Sequence, residues 1–140
     1  MKLTVSTPLA IAVDQADVAH VRAEDASGAF GILPGHADFL TVLTVSVLTW
    51  RDGAGALHHV AVRGGVLDVR HGQVIAVATR EAVADDDLAR LEAEVLAGFL
   101  RRQDEERVAH IDSQRLYLSA IRRICQSLRA ESPARGGFAQ

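Results

Sequence analysis

Residues 27 to 43 read Ser27-Gly28-Ala29-Phe30-Gly31-Ile32-Leu33-Pro34-Gly35-His36-Ala37-Asp38-Phe39-Leu40-Thr41-Val42-Leu43. Three glycines and Pro34 fall within the eight positions Gly28 to Gly35, directly before an apolar run. Glycine supplies positive φ, and proline fixes φ near about −65°. The residues alone describe a tight loop between two strands. These glycines do not open onto a helix, so they are not a phosphate-cradling loop.

On both sides of this loop the texture is β. Leu3, Val5 and Thr7 alternate with Lys2, Thr4 and Ser6, and Val45, Val47 and Thr49 alternate with Thr44, Ser46 and Leu48. Val60-Ala61-Val62-Arg63 and Val74 to Thr79 carry the same period. Turn signals recur at short intervals, at Asp14 to Asp17, Pro34-Gly35, Asp52 to Gly55, Gly64-Gly65 and His71-Gly72. Many short strands with regular turns predict a sandwich or barrel over residues 1–84. Several strands are apolar on both sides, which predicts two packed sheets. A β unit of this size buries only about 60% of its unfolded surface. It is therefore expected to work against the rest of the chain or another subunit.

Near residue 84 the pattern changes. Asp85-Asp86-Asp87 places capping side chains and negative charge where a helix begins. Leu88, Leu91, Val95 and Phe99 follow at helical spacing, and Val108, Ile111, Leu118, Ile121, Cys125 and Leu128 continue the stripe. Arg101-Arg102 suits a helix end and Asp104-Glu105-Glu106 a helix start. This predicts a helical hairpin over residues 85–132, turning at 102 to 104, with one long helix as the alternative. The tail 133–140, with Pro133 and Gly136-Gly137, is expected to be disordered.

Composition narrows the function. Hydrophobic content of 49% and charged content of 24% are those of a globular protein. A net charge of −3 gives no electrostatic case for nucleic acid. The most apolar run, Phe39 to Trp50, falls short of the about 20 residues of a spanning helix, so no direct membrane insertion is expected. The lone Cys125 excludes an internal disulfide, and its place on the apolar stripe predicts a core residue. His58 and His59 are adjacent on a strand and point to opposite faces. His20, His36, His71 and His110 lack metal-ligand spacing. No catalytic, cofactor or metal site is expected. A small-molecule enzyme on a β-barrel using the scattered histidines is the competing reading.

A resemblance supplies more. Gly31-Ile32-Leu33-Pro34-Gly35-His36-Ala37 is similar to the G-[IV]-[LFY]-P-G-H-A-P segment of the epsilon subunit of rotary F-type ATP synthases. Val62-Arg63-Gly64-Gly65-Val66-Leu67-Asp68-Val69 resembles that family's second signature, and Val74 to Thr79 its strand before the helices. The resemblance covers roughly residues 1 to 130. It implies an α+β fold: an N-terminal β-sandwich of about ten strands followed by a C-terminal α-helical hairpin. It also implies a non-catalytic part without cofactors that binds the gamma subunit and the c-ring. Such a part forms the foot of the central stalk and couples ion flow to ATP synthesis. By position, Ala29, Phe30, Gly31, Ile32, Leu33, Pro34, Gly35, His36, Ala37 and Asp38 are the implied rotor interface. Of these, Phe30, Leu33 and His36 are the candidate contacts, with burial in the sandwich as the other reading for Phe30. Arg122, Arg123 and Arg129 are the implied regulatory residues, through which the helices could reach the alpha/beta head and restrain hydrolysis. The implied location is peripheral, on the cytoplasmic face of the bacterial inner membrane.

The chain departs from the family pattern at two places. Asp38 replaces the final proline of the loop motif, freeing a backbone N–H and adding a charge. Where many relatives open the first helix with [IL]-D-x-x-R-A, part of an ATP site, this chain reads Leu88-Ala89-Arg90-Leu91-Glu92-Ala93. No ATP binding in that mode is expected. The divergent helices resemble those of the alternate, sodium-linked synthases, although the ion is read by the c-ring.

Overall fold

The computed structural model describes the backbone of residues 1–136 and side chains as far as Ala130. Eight strands come first: β1 (Lys2–Ser6), β2 (Ile11–Gln15), β3 (Val18–Asp25), β4 (Gly28–Ile32), β5 (Phe39–Asp52), β6 (Leu57–Arg70), β7 (Val74–Ala78) and β8 (Ala82–Ala84). Helix α1 (Leu88–Arg90), a π-helical segment (Leu91–Leu96) and α2 (Ala97–Gly136) follow. The chain forms two compact units, Met1–Leu100 and Arg101–Gln140.

All strands of the first unit belong to one sheet, in the order β2-β1-β7-β6-β5-β3-β4, with β8 on β6. β1 and β7 are parallel and the other pairs antiparallel. The sheet folds over on itself, because the Val18 N–H at the start of β3 bonds to the Met1 carbonyl at 2.9 Å. Both ends of the strand order thus close on one core. Leu3 and Val5 of β1, Val13 of β2, Val21 of β3, Ile32 of β4, Leu67 and Val69 of β6 and Ile75 and Val77 of β7 share it. Period-two alternation puts them there, with Leu3 beside Ile75 and Val5 beside Val77. Each such side chain stabilises the fold by about 1.5–3 kcal/mol.

Eight strands stand where about ten were implied, because β5 and β6 each run for 14 residues. They serve both layers by bending at Gly64-Gly65. Pairing there passes from Val45↔Arg63 to Leu43↔Gly65. Both glycines hold positive φ, 69° and 112°. Before the bend, β6 is buried on both faces. Val60 and Val62 join the main core, while Ala61 lies under Leu91 and Phe99. The first unit therefore runs past residue 84, through the π-helical segment to Leu100.

The hairpin expectation is corrected. Residues 102 to 104 are helical, and α2 continues from Ala97 to Gly136. Between Gly98 and Pro133 no glycine or proline interrupts it. The charge change read as a turn is instead accommodated along one helix, with Arg107 3.6 Å from Asp104 at i,i+3. Cys125 is exposed rather than core, along with Leu116, Tyr117, Leu118 and Leu128. Of the tail expected to be disordered, residues 133 to 136 have helical backbone, and 137 to 140 lie outside the described residues.

Candidate functional site

The Gly/Pro-rich stretch leaves the sheet at the end of β4. Ile32 is fully buried and pairs with Val21, which anchors the loop's first end. Phe30 is half-buried against the core, edge-on to Phe39 with ring centres 5.6 Å apart. His36 packs edge-on to the same Phe39 at 5.7 Å. Leu33, Pro34, Gly35, Ala37 and Asp38 are exposed, and Leu33 keeps 60% of its surface open. Ala29 and Gly31 are exposed on β4.

Two bonds fix this loop to the β6–β7 turn. The Gly35 N–H donates to the Gly72 carbonyl at 2.9 Å. The Asp38 carboxylate accepts from the His71 N–H at 2.8 Å. His71 holds φ 55°, unusual for a non-glycine, and Gly72 approaches Gly35 so closely that a Cβ would sit 2.6 Å from the Gly35 Cα. The charge that replaces the family's proline is therefore used as a brace. A second brace holds the β3–β4 turn. Hydrogen bonds from the Ser27 hydroxyl and then Thr41 hold the Asp25 carboxyl below the usual carboxylate range. Replacing Asp38 with Ala is expected to cost about 1 kcal/mol in urea unfolding and to speed amide exchange at His71. An unchanged His71 exchange rate would mean that the bond carries nothing.

Sequence reasoning missed the surface beside the loop. Leu40 and Val42 are each 69% exposed, and Val66 and Val74 are more than two-fifths exposed. Pairing sets Val42 opposite Val66 and Val66 opposite Ala78, so they share one outer face. Apolar residues on both sides of β5 suggested burial between sheets, but one side faces out. Such a contiguous apolar face marks an interaction surface.

The histidines do not converge. His20 lies over Gly31, His36 on Phe39, His59 on Thr49, and His71 is in the β6–β7 turn. His58 lies between Asp52 and Asp86, and His110 contacts Gln114 on α2. Among the described residues no group of three His, Cys, Asp or Glu is placed to hold a metal. Arg122, Arg123 and Arg129 are exposed on α2.

The family model "ATP synthase, Delta/Epsilon chain, beta-sandwich domain" matches residues 1–85. The chain belongs to the ATP synthase delta/epsilon family. The match covers the sheet and ends where the helical segment begins. Relatives extend the likeness across that segment. "ATP synthase epsilon chain 2" of Paraburkholderia xenovorans is 43% identical over 136 residues, covering 97% of this chain and 96% of that protein. The protein of the same name from Cereibacter sphaeroides is 44% identical over 128 residues, covering 91% and 88%. The fold also resembles a chain in the Euglena gracilis mitochondrial ATP synthase OSCP/F1/c-ring structure. There the TM-score is 0.58 at 24% identity, over 76% of this chain and 62% of that one. The histidine-enzyme reading gains no support from any of these relatives.

Proposed function

We propose that this chain is a non-catalytic epsilon subunit of a rotary F-type ATP synthase. It joins gamma to the c-ring at the foot of the central stalk and so couples ion translocation to ATP synthesis. The observation that carries this reading is the 43% identity to an epsilon chain over 97% of the chain. The geometry of the loop supports it. A junction that transmits torque must not yield, and the segment Ala29 to Asp38 is tied to the core by Ile32 and to the β6–β7 turn by Gly35 and Asp38. Leu33 and the face of Leu40, Val42 and Val66 give gamma an apolar surface to cover. Among the described residues no helix is long and apolar enough to cross a membrane. On the epsilon assignment the chain is placed in the complex as a peripheral subunit, on the cytoplasmic face of the bacterial inner membrane.

The helical unit is assigned a regulatory role toward the alpha/beta head. Arg115, Arg122 and Arg129 recur every seven residues and so share one flank of α2, with Arg123 beside them. A flank of this charge fits an acidic partner.

Reconstitution with the gamma subunit of the same organism tests the assignment. Wild-type chain is expected to bind. Phe30→Ala with His36→Ala, and separately the exposed Leu40→Ser, should each weaken binding about tenfold or more. Melting curves separate lost contact from lost fold. In the same assembled enzyme, Arg122→Ala, Arg123→Ala and Arg129→Ala together should raise ATP hydrolysis. Absence of gamma binding by the wild type would remove the rotor assignment.

A further inference from the structure

His58 occupies a corner that neither the interface nor the regulatory arginines use. It lies on β6 opposite Trp50 of β5, and its ring stacks on the indole at 5.3 Å and 26°. Both ring nitrogens face carboxylates. Nε2 is 2.8 Å from Asp52 Oδ2, at the end of β5. Nδ1 is 3.1 Å from Asp86 Oδ1, in the linker between β8 and α1. A neutral imidazole carries one N–H and would turn a lone pair on one of these carboxylates. Only the imidazolium donates to both.

Charged groups of both signs surround this corner. Asp85 and Asp86 of the linker and Asp14 of β2 line a cleft of about 470 Å³ together with Trp50 and His59. Arg90 of α1 is held by Asp85 at 3.3 Å and Glu94 at 3.5 Å. Lys2 of β1 reaches toward Asp14 at 3.9 Å, and Arg51 of β5 is exposed. His59, next along β6, bonds to Thr49.

The linker so held is the start of the helical segment. Its backbone is tied to the sheet by the bond from the Asp85 N–H to the His59 carbonyl at 3.1 Å. Asp85 accepts from the Asp87 N–H, and Asp87 caps the first turn through the Arg90 N–H. We propose that His58 is a proton-operated latch: protonated, it clamps Asp86 to Asp52 and fixes residues 85–90 to the sheet, and on losing its proton it releases them.

The direction of the response follows from these contacts. The hydrogen bonds to Asp52 and then Asp86 raise the His58 pKa, while its partial burial opposes them. The same bond to His58 is the leading cause that lowers the Asp52 pKa. The folded chain holds this proton more tightly than an unfolded one, whose imidazole titrates near about 6.5. The latch is therefore complete below that pH and is lost as the pH rises through the higher value of the folded state. Its use in timing the release of a regulatory helix rests on the epsilon assignment, whereas the latch itself does not.

NMR of the full-length chain from about pH 5 to about pH 9 tests it, following the His58 ring and the amides of residues 85–90. His58 should titrate above the ordinary value of an imidazole. Protection of the Asp85 and Asp87 amides, corrected for intrinsic exchange, should fall about tenfold across that titration. Asp86→Asn, at an exposed position, should lower the His58 titration and leave the linker open at every pH. His58→Gln should give the same open, pH-independent linker. A His58 titration at or below the ordinary value overturns the proposal. So does linker protection that stays level through it, or a pH response that survives in His58→Gln. Gamma binding is read separately, so failure of the latch and failure of the epsilon assignment are distinguishable.

Discussion

Gly65→Ala should lose about 2–4 kcal/mol of unfolding free energy, among the largest effects open to a single methyl group in this protein. The methyl cannot rotate away. An ideal Cβ at this position sits 2.1 Å from the Ala78 carbonyl oxygen and 2.9 Å from both the Ala78 carbonyl carbon and the Thr79 Cα. All of these are backbone atoms of β7 and the residue after it, so relief requires moving a strand that also pairs with β1. The φ of 112° adds backbone strain for any residue with a Cβ. Thermal unfolding should show a fall in melting temperature on the order of 15 °C, at roughly 4–8 °C per kcal/mol. Gly64→Ala is the control. Its φ of 69° lies in the left-handed region, and its nearest contact is 3.3 Å to the Leu43 carbonyl, so its loss should be smaller. A loss below about 1 kcal/mol at Gly65 would show that β7 yields, and that the bend does not depend on close approach there.

That bend also marks how far the residues could be read. Alternation in Leu3 and Val5, and in Ile75 and Val77, identifies strands and their inward faces directly, because a half-buried strand has period two. The number of strands is less legible. Gly64-Gly65 reads as a turn between strands, yet it is a kink within β6, because the partner strand β5 continues past it. Whether two glycines end a strand or bend it depends on what lies across the ladder, which is not local information. The same limit applies to Leu40 and Val42. Their apolar character is visible, but which side of β5 is covered depends on the path of the whole sheet. Among the implied loop residues, the anchoring of Ile32 follows from its place on β4. The brace from Asp38 to His71 does not, because it joins positions 33 residues apart. Acidic residues after Arg101-Arg102 misled in the opposite direction. Charge favours helix ends only weakly, at about 0.3–1 kcal/mol, and nothing in residues 99 to 106 removes a backbone donor or frees φ. Propagation of the helix therefore wins.

Leu91→Ala is expected to undock the start of the helical segment while the sheet stays folded. Leu91 is fully buried and Phe99 nearly so, and both cover Ala61 with Val45, Val47 and Val95 around them. Leu91, Val95 and Phe99 repeat every four residues. That spacing drifts around a regular helix of about 3.6 residues per turn, and the wider turn of the π-helical segment reduces the drift. The insertion so keeps all three side chains on the sheet. Truncating a buried leucine costs about 2–5 kcal/mol, and here the loss falls on a small satellite cluster rather than on the main core. Amide exchange in residues 91 to 100 should accelerate on the order of a hundredfold, which corresponds to about 2.7 kcal/mol. Exchange in β1 and β7, whose core does not include Leu91, should change little. Equal acceleration in both regions would mean that the segment and the sheet unfold as one. The helical start would then be a structural part of the sandwich, with no independent freedom for a regulatory helix to use.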